Sequence, residues 1–322
     1  MSLLKLCSGL ALFLYGMNLM SDSLMHIAGE RIKYLLGRIA SDRLAAIIFG
    51  ALVTALIQSS SATTVMTVGL VEAGILKLSD SAAIIMGANV GTTITSWLFA
   101  ATGISANGDW LILLKPENIV AIPALIGVIL ILVSHDYRYT EIGKSILGFT
   151  ILIYGMEMMT SAVSPLADNP GFGELLTLCN NPIYGVLAGT FITAVIQSSS
   201  ASVGILQALC LSGNISYDAA IPIIMGQNIG TCVTTIIASF GTSINAKRSA
   251  VFHLYFNIIG TVLFILLYYV LKITGLLSLY DMYATSSGIA FVHSIFNIAS
   301  VVLMYPFTDL LVNVTIRTIK NK

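Results

Sequence analysis

Long apolar runs along this chain are interrupted by short polar blocks, and two of the interruptions are nearly identical. A helix needs about 20 apolar residues to cross roughly 30 Å of hydrocarbon. Stretches near 3–28, 80–101, 119–134, 143–165, 219–240, 250–272 and 288–312 are read as such crossings, seven in all. The runs that flank Gln58, Ser59, Ser60 and Ser61 (44–57 and 62–76) are shorter, as are those that flank Gln197, Ser198, Ser199 and Ser200 (183–196 and 201–213). At about 13 to 15 residues each would extend only some 20 to 22 Å as helix, too little to cross alone. Each pair is therefore predicted to be a re-entrant hairpin with its QSSS tip near the middle of the bilayer. Irregular backbone is tolerated there only against protein or a wet cavity.

The two QSSS blocks belong to a longer internal repeat. Tyr15 and Tyr154, Gln58 and Gln197, Gly87 and Gly226, and Asn89 and Asn228 are all 139 residues apart. "IIMGANVGTTIT" at 84–95 returns as "IIMGQNIGTCVT" at 223–234, and "LYGMNLM" at 14–20 as "IYGMEMM" at 153–159. The first apolar run thus belongs to the repeated fold and is not read as a removable leader.

Composition fits this pattern: 57% hydrophobic and 9% charged residues, with a mean hydropathy of +0.92, indicate an integral membrane protein. Because helices satisfy their own backbone hydrogen bonds in lipid, the predicted fold class is an all-α polytopic membrane protein. A net charge of zero gives no footprint for nucleic acid, and Cys7, Cys179, Cys210 and Cys232 show no metal-ligand spacing. Basic residues follow the first crossing (Arg31, Lys33, Arg38, Arg43), the third (Arg138, Lys144), the fifth (Lys247, Arg248) and the seventh (Arg317, Lys320, Lys322). Loop 166–182 holds Asp168 and Glu174 and no Lys or Arg. The positive-inside rule then places the basic side and the C-terminus in the cytoplasm of a multi-pass protein of the inner (plasma) membrane.

Three crossings separate the start of one repeat from the start of the other, so the repeats are predicted to run in opposite directions. Residues 1–142 form the first inverted repeat with a connecting scaffold helix, and 143–322 the second with C-terminal scaffold helices. Each is expected to hold a re-entrant helical hairpin and a discontinuous helix, as in secondary transporters. Serine hydroxyls and freed carbonyls suit a hard cation such as Na⁺. Backbone N–H groups at helix N-termini suit an anion.

The duplicated QSSS, each followed by a GxNxGT block ("GANVGT" at 87–92, "GQNIGT" at 226–231), resembles the type II sodium-dependent phosphate cotransporters and their bacterial relatives over roughly residues 10 to 300. That resemblance implies a symporter that imports inorganic phosphate with sodium by alternating access, with no cofactor beyond the coupling ions. It implies a phosphate site built from Gln58, Ser59, Ser60, Ser61, Gln197, Ser198, Ser199 and Ser200, with Asn89 and Asn228 beside it. Ser60, Thr63, Thr92, Ser199, Ser202 and Thr231 are the candidate sodium ligands. Bacterial relatives of this family often continue into a PhoU-like domain, whereas this chain stops about ten residues after its last apolar run. Vertebrate members carry a disulfide in a large extracellular loop, but loop 166–182 is short and has only Cys179, so no disulfide is expected.

Other readings stand beside this one. The alternatives are a sodium- or proton-coupled carrier of another small anion, or a phosphate-sensing membrane subunit. A serine hydrolase would need a positioned base and a GxSxG elbow, which the sequence lacks. His253 and His293 each precede an Asn by four positions and read as hydrogen-bonding scaffold residues, with a functional role as the competing reading. Glu72 and Glu157 are read either as cation ligands or as groups near water. Tyr15 and Tyr154 are read as marks of glycine-mediated helix contacts, with direct substrate contact as the competing reading. Pairing of two copies into a homodimer through the scaffold is left open.

Overall fold

The computed structural model describes residues 2–39, 42–102, 121–163, 177–211, 215–274 and 282–320. Their regular structure is helical: α1 (Ser2–Ile39), α2 (Arg43–Ile57), α3 (Ser60–Glu72), α4 (Leu78–Thr102), α5 (Ala121–Val133), α6 (Tyr137–Val163), α7 (Pro182–Ile196), α8 (Ser199–Leu211), α9 (Tyr217–Ala238), α10 (Ile244–Ile273), α11 (Ser286–Met304) and α12 (Thr308–Thr318). A short 3₁₀ turn, Tyr305–Phe307, joins the last two, and a single β-bridge links Ser216 with Tyr283.

Six helical segments among the described residues are long and apolar enough to cross a membrane: Leu3–Ile27, Leu78–Ala101, Tyr137–Met159, Tyr217–Ala238, Ile244–Ile273 and Ser286–Thr318. The chain is a helical, multi-pass membrane protein. The remaining expected crossing, the third at 119–134, holds helix α5, whose 13 residues span about 20 Å. Most of loop 166–182, and the side chains of Arg31, Lys33 and Arg38, lie outside the described residues.

α4 and α9 run through the GxNxGT blocks without interruption, in line with the crossings read at 80–101 and 219–240. The polar residues do not break these helices because their hydrogen bonds are met without unwinding. Thr92 Oγ1 donates to Ala88 O (3.0 Å) and Thr231 Oγ1 to Gln227 O (2.9 Å), each one turn back on its own helix. Glycines in the blocks provide packing room. A side chain at Gly87 would strike the carbonyl of Ile47 on α2, and one at Gly226 the carbonyl of Val186 on α7. Small residues let membrane helices approach this closely.

The chain breaks instead at each QSSS, and both breaks have the same geometry. Gln58 and Gln197 adopt left-handed backbone conformations, with φ of 60° and 59°. Their N–H groups close the last turns of α2 and α7 on Thr54 O (2.8 Å) and Thr193 O (2.7 Å). The next residue starts a new helix: Ser59 Oγ accepts from Ala62 N and Ser198 Oγ from Ala201 N, both at 3.2 Å. One glutamine that ends a helix and one serine that starts the next make each break. At their other ends, α2 and α7 are capped by Asp42 and Asn181, which accept from Leu44 N and Ile183 N.

α1 and α6 pack closely along glycine faces: Gly9 lies against Gly155 and Gly16 against Gly148. One apolar core packs α2, α3 and α4 against α10 to α12. A second joins α8 and α9 to α10 and α11, and a third lies among α1, α4, α6 and α8.

Candidate functional site

The two breaks face each other. Ser60 Oγ lies 3.5 Å from Ser199 Oγ, and Gln197 O accepts from Ser61 Oγ and from Thr234 Oγ1, each at 3.5 Å. Between the tips is a cavity of about 140 Å³ lined by Gln58, Ser59, Ser61, Gln197 and Ser198, five of the residues expected to hold phosphate. This is well above the ~10–15 Å³ of free space that one water needs. Ser60, Ser199 and Ser200 are buried next to it.

The N-termini of α3 and α8, which begin at Ser60 and Ser199, both lie at this cavity. The first N–H groups of a helix have no carbonyl partner within it and carry the positive end of its dipole. Two such ends at one cavity favour an anion.

The same wall contains a carboxylate that sequence reasoning did not single out. Asn18 and Asp22, on α1, line the cavity alongside the tips. Their signal was present, since two polar residues four apart in an apolar run share one helix face, and an acidic residue within a membrane span marks a functional candidate. With an anion-favouring pair of helix ends and a carboxylate in one small space, the site suits opposite charges bound together. Asp22 is exposed on this wall, and its negative charge would repel a bound anion unless a cation compensates it.

The tips are not equivalent. Gln58 is buried and Gln197 exposed. The Gln58 amide donates to Ala55 O, and its Oε1 is buried without a partner. Ser61 borders the cavity, whereas Ser200, its counterpart 139 residues later, is buried. Glu157 and Ser161, 139 residues after Asn18 and Asp22, line a separate cavity of about 560 Å³ with Lys5 and Tyr154.

The remaining candidates are engaged elsewhere. Asn89 and Asn228 are not on the cavity wall: their Nδ2 groups donate to Asn257 Oδ1 and Asn297 Oδ1, both at 2.7 Å. These partners are the residues four positions after His253 and His293. Asn257 and Asn297 in turn donate to the backbone oxygens of those histidines at 2.9 Å. His293 Nδ1 lies 2.7 Å from Ser96 Oγ, and His253 Nδ1 lies 3.1 Å from Thr235 Oγ1. The histidines therefore hold α4 and α9 against α10 and α11. Thr63 Oγ1 bonds Thr54 Oγ1 (3.0 Å) and Ser59 O (3.1 Å). Thr92 and Thr231 bond their own helices, and Ser202 faces a different cavity, between α7, α8 and α9. Glu72 lies away from the site, where its carboxylate accepts from Ser243 N (2.6 Å) at the start of α10.

A family model described as Na⁺/Pi-cotransporter matches this chain twice, over residues 12–161 and 151–280. The chain belongs to the Na⁺/Pi-cotransporter family. The two matches begin 139 residues apart, the spacing of the repeated blocks. Among relatives in this transporter family, YqeW of Bacillus subtilis (strain 168), which carries no assigned function in its name, is 29% identical over 92% of this chain and 92% of its own length. YjbB of Escherichia coli (strain K12), provisionally named an inorganic phosphate export protein, is 26% identical over 96% of this chain and 54% of its own. The rat sodium-dependent phosphate transport protein 2A is 37% identical over 29% of this chain and 15% of its own. The chain thus spans about half the length of YjbB. No solved structure matches it.

Proposed function

We propose that this protein is a sodium-coupled carrier that imports inorganic phosphate, working by alternating access in the cell's inner membrane with its C-terminus in the cytoplasm. The observation that carries this reading is the cavity between the QSSS tips, where two helix N-termini meet a wall containing Asp22. The helix ends and the Ser59, Ser61 and Ser198 hydroxyls would bind phosphate oxygens. A protonated phosphate oxygen would donate to the otherwise unpartnered Gln58 Oε1.

Sodium would bind between Ser60 and Ser199, with Asp22 providing the compensating charge. Hard cations hold oxygen ligands at about 2.3–2.6 Å. Two ligands at about 2.5 Å and a right angle would be about 3.5 Å apart, which matches the spacing of the two serine oxygens. With sodium bound, Asp22 would no longer repel the phosphate, which makes phosphate binding depend on sodium.

In this account α2–α3 and α7–α8 are re-entrant hairpins in two inverted repeats, which meet at their tips. The asymmetry between the tips is what a state open to one side would show. In the opposite state Glu157 and Ser161 would take the places of Asn18 and Asp22. α10 and α11, tied to α4 and α9 by asparagine pairs, would act as the scaffold.

The name of YjbB favours a second reading, phosphate release from the cell. A coupled carrier runs down the sum of its gradients, so the two readings differ in the coupling ion and its gradient. The test is radiolabelled phosphate binding to the purified protein across a range of sodium concentrations. The account predicts affinity that rises with sodium, with the rise lost in Asp22→Asn. Binding independent of sodium in both proteins would contradict it.

A further inference from the structure

A second cavity, of about 540 Å³, lies between α7, α8 and α9, away from the QSSS tips. Its walls are almost wholly apolar, with Ala188, Ile192, Ile205, Leu209 and Ile223 among them, and no charged side chain among the described residues lines it. Tyr184, Ser202 and Gln227 are the lining residues with side-chain oxygen or nitrogen atoms, and two of them are deeply buried. Ser202 Oγ on α8 and Gln227 Oε1 on α9 belong to residues only 1% and 2% exposed, and neither atom has a hydrogen-bond partner. Thr193, on α7, has a similarly buried and unpartnered hydroxyl.

The place 139 residues earlier in the chain differs at these positions. Phe49 corresponds to Ala188, and its side chain packs against the core of α2, α3 and α4. Ala88 corresponds to Gln227, which removes the polar atom. Thr63 and Thr54 correspond to Ser202 and Thr193, and they bond each other at 3.0 Å. One copy of the same helix arrangement thus packs a phenylalanine there and pairs its hydroxyls. The other leaves a pocket with unmet hydrogen-bonding capacity. A buried polar atom without a partner costs about 1–3 kcal/mol, so the pairing is expected to come from a bound molecule.

We propose that this pocket binds an uncharged amphiphile, an alkyl or aryl chain ending in one neutral hydroxyl or amide, with its polar end at Ser202 and Gln227. The apolar walls take the chain. Gln227 Oε1 requires a hydrogen-bond donor, and Ser202 can either donate or accept. Among the described residues no lining charge is present to pair an ionised head, so a neutral one is favoured. Ser202 is three residues after Ser199, so occupancy of the pocket acts on the helix whose N-terminus faces the tip cavity.

The test is photolabelling of the protein in phosphatidylcholine vesicles with dodecanol that carries a diazirine in its chain, followed by mass spectrometry of the labelled peptides. Its readout does not depend on transport. The expected result is saturable labelling of peptides that contain Leu209 or Ile223, displaced by dodecanol but not by dodecane or dodecanoate. Ala188→Phe, which installs the residue of the other copy, is expected to abolish it. Gln227→Ala should keep labelling but reduce the preference for dodecanol over dodecane by about tenfold. If Ala188→Phe does not fold, Ala188→Leu should reduce labelling instead. Non-saturable labelling would show contact with bulk lipid and overturn the proposal. So would labelling unchanged in a folded variant at position 188, or equal displacement by dodecane and dodecanol in the unsubstituted protein.

Discussion

Ser60 and Ser199, 139 positions apart in the chain, bring their hydroxyl oxygens to within 3.5 Å across the facing helix breaks. The spacing suits a shared cation better than a direct hydrogen bond, for which hydroxyl oxygens usually approach to about 2.7–2.8 Å. Replacing either serine with alanine should raise the sodium concentration for half-maximal phosphate uptake about tenfold, equivalent to about 1.4 kcal/mol. Membrane insertion and folded yield should be unchanged. Uptake measured against sodium concentration checks this, and an unaltered sodium dependence in both variants would remove these oxygens from the ion site.

The left-handed conformation of Gln58 and Gln197 separates the roles of backbone and side chain. Glycine takes this conformation freely, whereas a residue with a Cβ pays roughly 1–2 kcal/mol. Gln58→Gly should therefore melt at or above Gln58→Ala in the purified protein, while both variants lose phosphate affinity. A Gly variant less stable than the Ala variant would show that the side chain, rather than the backbone, holds the break.

Asn228 and Asn297 form a buried pair between α9 and α11, off the cavity wall. Asn297→Ala leaves a buried donor unpaired and should cost about 1–3 kcal/mol of stability. Phosphate affinity of the folded fraction should change little. Thermal melting and phosphate binding on the same preparation distinguish this from a direct ligand role, in which affinity would fall and stability would not.

Positions 22 and 161 test the inverted arrangement. With single cysteines introduced at each and the native cysteines removed, a membrane-impermeant thiol reagent should label Asp22→Cys from one side of the membrane and Ser161→Cys from the other. Labelling of both from the same side would contradict inversion while leaving the helical fold intact.

Much of this was legible in the sequence because it is repeated. The 139-residue spacing marked both QSSS blocks as equivalent, and the short flanking runs marked the chain breaks that Gln58 and Gln197 make. The asparagines of the GxNxGT blocks, expected beside the phosphate site, make helix contacts. Polarity in an apolar run signals either an opened backbone or a helix contact, and only packing decides. There Gly87 and Gly226 meet neighbouring backbone, and Asn89 and Asn228 find asparagine partners. Asp22 was missed because its helix was read only for its repeated YGM block, and position 161 in the other copy is a serine. The pocket beside Ala188 was illegible for a different reason: an alanine opposite a phenylalanine in two copies is an unremarked difference until the volume it vacates can be seen.

The most direct measurement of the central claim is uptake of radiolabelled phosphate into proteoliposomes of the purified protein, under an inward sodium gradient or an equal potassium gradient. The account predicts transient accumulation above equilibrium with sodium only, reduced in Ser199→Ala and in Asp22→Asn. Equal uptake under both gradients, by protein shown to be folded, would contradict sodium coupling.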